Sequence, residues 1–355
     1  MRKTVGYISF STLMFSLMEI ALKLAGGAFD PIQLNLIRFA VGGLVLLPIA
    51  LSALKKQHRQ LNWQDLRLFG LTGFVCVIIS MTLYQLAIVY SPAATVAVLF
   101  SCNPVFALIF SYLILHERLG RANLISVIVS VIGLLVIVNP THIKNIVGLT
   151  LAVTSALTFG LYSIISRYGS QKRDLNGIVM TCFTFLTGTV ELFVIIMLTH
   201  VPMIGRAMGQ VSFLKQFVSI PVVHNISWQY LPLLFFIGVC VTGGGFAFYF
   251  LAMETSDVST ASLVFFIKPA LAPVLAALIL SETISLPTIV GIVIILLGSV
   301  VTFMGNRSKS VRSEMGQPVY PEKDQSEIQS QLGNKVKSHL EDKVKGLNSN
   351  FEDED

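Results

Sequence analysis

The sequence predicts an all-α membrane protein of ten transmembrane helices, arranged as a 5+5 inverted repeat. Three observations carry that expectation: an apolar composition, ten apolar runs of similar length, and a second half that repeats the first. Of 355 residues, 54% are hydrophobic and only 12% are charged, against about 25% charged in an average soluble domain. A chain this long and this apolar cannot hide its surface inside one water-soluble globule.

Crossing the hydrocarbon core takes about 20 apolar residues at 1.5 Å each. With that ruler the runs fall at 4–26, 32–54, 66–88, 93–115, 122–139, 147–166, 175–199, 230–253, 258–281 and 286–305. Short polar breaks separate them. The first run carries Glu19 and Lys23 and has no small-residue cleavage site, so it reads as a retained helix rather than a signal peptide.

Basic residues set the expected orientation. With the N-terminus inside, the inner segments hold Arg2, Lys3, Lys55, Lys56, Arg59, Arg67, Arg118, Arg121, Arg167, Lys172, Arg173, Arg307, Lys309 and Arg312, against Lys144, Arg206 and Lys215 outside. That asymmetry places both termini in the cytoplasm of a cell whose inner membrane the chain would span. The sequence pI of about 9.1 therefore reflects membrane topology, and no nucleic-acid partner is expected. The expected partners are the lipid bilayer and a small-molecule substrate; the body could also pair as a homodimer.

The halves repeat at fixed spacing. Trp63-Gln64 pairs with Trp228-Gln229, Tyr84 with Tyr249, Leu86-Ala87 with Leu251-Ala252, Pro104 with Pro269, Glu117 with Glu282 and Gly133 with Gly298, always 165 positions apart. Upstream, Phe15 pairs with Phe159 and Asp30 with Asp174 at a spacing of 144, so 21 extra residues enter the second half near Thr199 to Trp228. Five helices per repeat is an odd number, so equivalent positions face opposite sides of the membrane, as in transporters built around one central site. The organisation expected is a first repeat over 1–140, a second over 147–305, and a polar cytoplasmic tail over 306–355. In the tail, Ile328, Leu332, Val336, Leu340 and Val344 recur every fourth residue, a stripe that drifts by about 40° per step, so a short surface helix with a disordered acidic tip is expected there.

Ten runs, the five-helix repeat, Asn103-Pro104 and Lys268-Pro269, and Glu117 and Glu282 closing the fourth and ninth runs together resemble the drug/metabolite transporter superfamily. Each half resembles an EamA domain, over roughly residues 4 to 305. The resemblance implies a bacterial inner-membrane carrier, often an exporter of amino acids or other small metabolites. Where many EamA sequences carry Trp-Gly in the first helix, this chain reads Phe15-Ser16.

Catalytic and nucleotide motifs are absent from the sequence: no HExxH, no nucleophile elbow, no phosphate-binding glycine loop. Cys76, Cys102, Cys182 and Cys240 lie inside apolar runs without metal or redox spacing. No enzyme activity, metal or cofactor is expected, and an ATP-driven pump is disfavoured. Gly243-Gly244-Gly245 reads as close helix packing or a hinge.

The residues that carry functional expectation are the intramembrane charges Glu19, Lys23, Arg38, Glu191 and Lys268, because an ion at the centre of a span costs about 2.5–3.5 kcal/mol on insertion scales. Lys23 and Arg38 lie toward the outer ends of their runs, where they can snorkel; Arg38 is also a candidate substrate ligand. Lys268 lies near mid-run, followed by Pro269 and Pro273, and a broken helix beside a midplane lysine is how transporters build sites. Glu19 and Glu191 are candidate proton-coupling groups, and either could face Lys268. Asn103, the repeat mate of Lys268, precedes the expected break at Pro104, and Tyr84, Gln85 and Tyr249 are candidate polar liners.

These features fit a secondary carrier of a small polar or amphiphilic metabolite, amino-acid- or organic-acid-like, working by alternating access and in the direction of export. Two other readings stand beside it. One is a flippase for a lipid or lipid-linked sugar of the same superfamily; the other is a non-transporting sensor or assembly protein acting through its tail.

Overall fold

In lipid, every backbone N–H and C=O must be bonded within the structure, which leaves an apolar run little choice but a helix. The computed structural model describes residues 2–116, 121–138, 146–210, 217–255, 263–298 and 300, and no strand occurs among them. Expectations placed on Glu117 and on the tail lie outside these residues.

Among the described residues the apolar helices follow in order: α1 (Arg2–Ala25), α2 (Pro31–Lys56), α3 (Trp63–Tyr90), α4 (Ala93–Leu115), α5 (Arg121–Val138), α6 (Ile146–Arg173), α7 (Gly177–Thr199), α8 (Leu231–Ala252), α9 (Leu263–Leu280) and α10 (Leu286–Gly298). Among the described residues seven of them, α1 to α4 and α6 to α8, are long and apolar enough to cross a membrane on their own; the apolar stretches of α5, α9 and α10 are shorter. Each helix falls on one of the runs read from the sequence. A further short helix, Pro202–Gly209, occupies the insertion before α8.

Local chemistry sets the ends. Asp30 caps α2 by accepting from the Ile32 and Gln33 amides, with Pro31 in the first turn, where its missing donor costs nothing. Asn62 and Asp65 form a reciprocal capping box at the start of α3. The expected sixth run stops at 166, whereas α6 continues to Arg173. Polarity ended the apolar run there, but Arg167, Lys172 and Arg173 are good helix formers and the helix carries on.

The packing is reciprocal between halves. Helix α1 lies against α8 and α9, and its mate α6 lies against α3 and α4; α2 packs on α8 as α7 packs on α3; α2 and α7, mates themselves, pack together. Finer features repeat too. A π-helical segment interrupts α3 at Phe74–Ser80 and α8 at Phe236–Gly244. The Ser155 hydroxyl donates to the Ser80 carbonyl at 2.8 Å, and its mate Ser11 donates to the Gly245 carbonyl, also at 2.8 Å. His116 and Ser281, 165 positions apart, both take the left-handed conformation that ends a helix (φ 53° and 54°).

Polar contacts sort the helix ends onto two faces. On one, Lys23 donates to the Ile88 and Ser91 carbonyls, Glu282 accepts from the Ala93 and Ala94 amides, Asn225 donates to Ala28, and Gly148 lies against Tyr90 and Ser91. On the other, Arg59 reaches the Arg173 and Asp174 carbonyls, and buried Asp65 lies between Arg59 at 3.4 Å and Arg173 at 3.6 Å. Helix α1 therefore ends on the face where α6 begins. Trp63 and Trp228 are exposed at the heads of α3 and α8, where amphipathic rings suit a membrane–water interface. Outward rows such as Leu124, Ile128 and Leu135 on α5 and Ile289, Val293 and Leu297 on α10 are also exposed, a surface that only lipid would cover without cost.

Candidate functional site

Close helix contacts leave a cavity at the middle of the bundle. Glycine permits the approach: a Cβ on Gly73 would lie 2.6 Å from the Gly188 amide nitrogen, and one on Gly238 would lie 2.7 Å from the Val41 side chain. Eight helices line the space, α1 to α4 and α6 to α9. About 50 Å³ of it is open to the centre of a water molecule, several times what one water needs.

Phenylalanine is the commonest residue of the wall. Phe15, Phe39, Phe100, Phe159, Phe185, Phe246 and Phe265 all line it, and some pack edge to face, as in Phe39–Phe185 (4.7 Å, 70°) and Phe185–Phe246 (5.2 Å, 85°). Both π segments also reach the lining, through Cys76 and Thr242. Such segments are frequent at functional sites because they re-aim a side chain and loosen the helix locally.

Into this apolar box project three charges. The Lys268 Nζ lies 2.8 Å from a Glu19 carboxylate oxygen, and the two residues are 4% and 1% exposed. Lys268 also stands over the Phe100 ring at 5.4 Å. Arg38, 1% exposed, is held from behind: its Nε and Nη2 donate to Asn35 Oδ1 at 3.1 and 3.0 Å, and the Asn35 amide donates to the Val77 carbonyl in the π segment of α3. Its guanidinium carbon lies 4.4 Å from the Phe39 ring centre, a stacking that the flat cation favours.

Of the residues singled out from the sequence, Lys268, Asn103, Arg38 and Pro104 line the cavity. Glu19 reaches it through its pair with Lys268. Tyr84 lies just behind, its ring 4.6 Å from Phe100 and 5.9 Å from Arg38. Tyr249 lies one layer back against Phe265, and Gln85 is buried away from the lining. Glu191 is elsewhere, beside Gly70 where α3 meets α7. Arg38 does not snorkel; Asn35 and two aromatic rings hold it inward.

The expected breaks differ between halves. In α4 the helix is interrupted at Ser101–Cys102, Pro104 opens the second piece, and the Asn103 amide donates to the Phe100 carbonyl at 2.8 Å. Pro269 and Pro273 instead lie inside one continuous helix, α9. A proline deletes a single backbone bond, which a helix can absorb by bending. Sequence reading missed the phenylalanine wall, although the repeat held the signal: Phe15 and Phe159, and Phe100 and Phe265, are mates.

Comparisons with known proteins agree with this architecture. The family model described as "EamA-like transporter family" matches residues 2–139 and again 146–304. A protein of Clostridium kluyveri named an uncharacterized transporter is 33% identical over 316 residues, covering 86% of this chain and 95% of its own. A probable terminal-alkyne amino-acid exporter of Streptantibioticus cattleyicolor is 24% identical over 272 residues, covering 72% of this chain and 81% of its own. A solved crystal structure at 18% identity superposes with a TM-score of 0.55, covering 84% of this chain and 96% of that one, a likeness of fold. With two matches that together take in nearly all of the apolar body, this multi-pass membrane protein belongs to the EamA-like transporter family.

Proposed function

We propose that the chain is a secondary carrier that exports a small amphiphilic metabolite, amino-acid- or organic-acid-like, by alternating access. The observation that carries the reading is the Glu19–Lys268 ion pair at 2.8 Å inside a phenylalanine-walled cavity. A buried ion pair is a weak device for stability, since desolvation offsets most of its attraction. Its use is to set the charge that a substrate meets in the cavity. The Streptantibioticus relative, named as a probable amino-acid exporter, supports the substrate class. A cavity of this size suits a small metabolite better than a lipid chain.

The reading treats residues 1–140 and 147–305 as two inverted repeats of five crossings each, with 306–355 as a cytoplasmic tail. Reciprocal packing, paired π segments and the opposite ends at which α1 and α6 begin support it. Alternating access would then exchange the two halves' arrangements about the cavity. The wall comes from one chain. Both termini are taken as cytoplasmic in the inner membrane: single cysteines in a cysteine-free background at position 60 should be shielded from an impermeant reagent, and at position 210 labelled.

The functional test has two stages. An untargeted comparison of metabolites excreted by cells with and without the protein nominates the cargo. Counterflow of that cargo in proteoliposomes should then be lost in Lys268→Met, which keeps side-chain length while removing the charge. Counterflow at the parental rate in that variant would sink the central role of the pair.

A further inference from the structure

Charge around the cavity does not balance. Arg38, Lys268 and Glu19 are the charged groups that meet there among the described residues, giving two cations and one carboxylate. Lys268 takes the carboxylate at 2.8 Å. Arg38 has no carboxylate within ion-pair distance among the described residues, and its partners are neutral: the Asn35 oxygen on Nε and Nη2, and on Nη1 only the Met18 sulfur at 3.6 Å. A thioether is a weak acceptor. An arginine stays charged even when buried, and a buried charge without a counter-ion is costly.

We propose that the cargo itself supplies the missing charge: the site takes a monoanionic amphiphile, a carboxylate with an apolar and preferably aromatic body, anchored by Arg38 through Nη1. This rests on the carrier reading and names its substrate class. The sign follows from the net +1 of the three groups, the single valence from its size, and the apolar body from the seven phenylalanines around it. Asn35 pre-positions the fork by occupying its far edge, so little is lost in orienting it when the anion arrives. Because Asn35 also bonds the Val77 carbonyl in the π segment of α3, anion binding is tied to one of the two π segments.

The proposal separates Arg38 from Lys268. Lysine in this scheme is already neutralised, and its role is to keep Glu19 away from Arg38. Lys268→Met would release Glu19 to compete for Arg38 and weaken anion binding, whereas Glu19→Gln combined with Lys268→Met removes both charges and leaves the Arg38 cation unopposed.

The test uses the full chain in lipid nanodiscs and three probes of one shape: phenylacetate, phenylacetamide and phenethylamine. Calorimetry on the parent should show phenylacetate binding at least tenfold more tightly than the amide, the amine being weakest. Arg38→Gln should lose at least tenfold for phenylacetate, with Arg38→Lys partly restoring it, while Glu191→Gln, beside Gly70 and outside the cavity, should stay within about threefold of the parent. Preference for the amine or the amide, no binding of phenylacetate, or saturation by chloride alone that phenylacetate cannot displace would overturn the assignment on the parent protein, whatever the variants do. Loss in the Glu19→Gln/Lys268→Met protein equal to that in Arg38→Gln would overturn it in favour of Lys268 as the anchor. Tight phenylacetate binding with no counterflow of it would support the anion site and strike instead at the carrier reading.

Discussion

Phe15 and Phe100 wall the cavity from the first half as Phe159 and Phe265 wall it from the second, each pair related by the repeat, whereas Arg38, Glu19 and Lys268 have Cys182, Ser163 and Asn103 as mates. Four of the seven wall phenylalanines are thus paired by the repeat, and none of the three charges is. Duplication supplies a container with matching halves, which is what two equivalent end states require. Selective binding needs a cargo to be held in one orientation, and a symmetric site would accept it in two. Charge stands on α1, α2 and α9 at three buried positions whose repeat mates are neutral.

The largest expected effect comes from breaking the asymmetric pair on one side. Glu19→Gln strands Lys268 at 4% exposure, and removing one member of a buried pair typically costs about 3–5 kcal/mol. Adding Lys268→Met should return stability to within about 1 kcal/mol of the parent, since a neutral, well-packed replacement no longer needs a partner. Thermal unfolding of purified protein in detergent reads both. If the double variant is as unstable as Glu19→Gln, the two charges are not coupled and the asymmetry has another origin.

Glycine contacts test whether the shared scaffold is equally tight on both sides. Gly73 and Gly238 are mates at the same kind of crossing, α3 on α7 and α8 on α2. A methyl at Gly73 meets the Gly188 backbone, whereas at Gly238 it meets the Val41 side chain. Gly73→Ala should cost about 1–3 kcal/mol, the range for overpacking a dense core, and Gly238→Ala less, because a side chain can shift where a backbone cannot. The same unfolding assay ranks them; an equal or reversed order would show that the two crossings relax in ways the repeat does not predict.

How much of this was legible beforehand follows from what a sequence encodes along a membrane helix. Depth is readable, because position in an apolar run fixes height, and so the heights of Glu19, Lys268 and Asn103 could be assigned. Azimuth is not, because a span that is apolar all round carries no amphipathic stripe to say which side faces in. Glu19 and Glu191 were therefore both candidates for Lys268, and rotation about the helix axis brings Glu19 to it and leaves Glu191 beside Gly70. Arg38 looked able to snorkel for the same reason: its height allowed it, and only Asn35, one turn before it, revealed an inward partner. The π segments left no trace in composition. The prolines gave the wrong emphasis, since Pro104 follows a real interruption while Pro269 and Pro273 are absorbed.

The smallest expected effect concerns the mirrored serine bonds. Ser80 and Ser155 bond reciprocally, each hydroxyl donating to the other's carbonyl, at 2.9 and 2.8 Å. In the mirrored position Ser11 donates to Gly245, which has no hydroxyl to return. Both contacts close the C-terminal end of a π segment against a neighbouring helix, so they hold equivalent places in the two halves with two bonds on one side and one on the other. Interhelical polar contacts inside membranes average about 0.6 kcal/mol. Ser11→Ala should cost about that much and Ser80→Ala/Ser155→Ala about twice as much, each measured by unfolding in detergent. Equal costs would mean that the second hydroxyl adds nothing. A larger cost for Ser11→Ala would place the stiffer junction on α8, so that the segment freer to change register would be the one in α3 that Asn35 ties to Arg38.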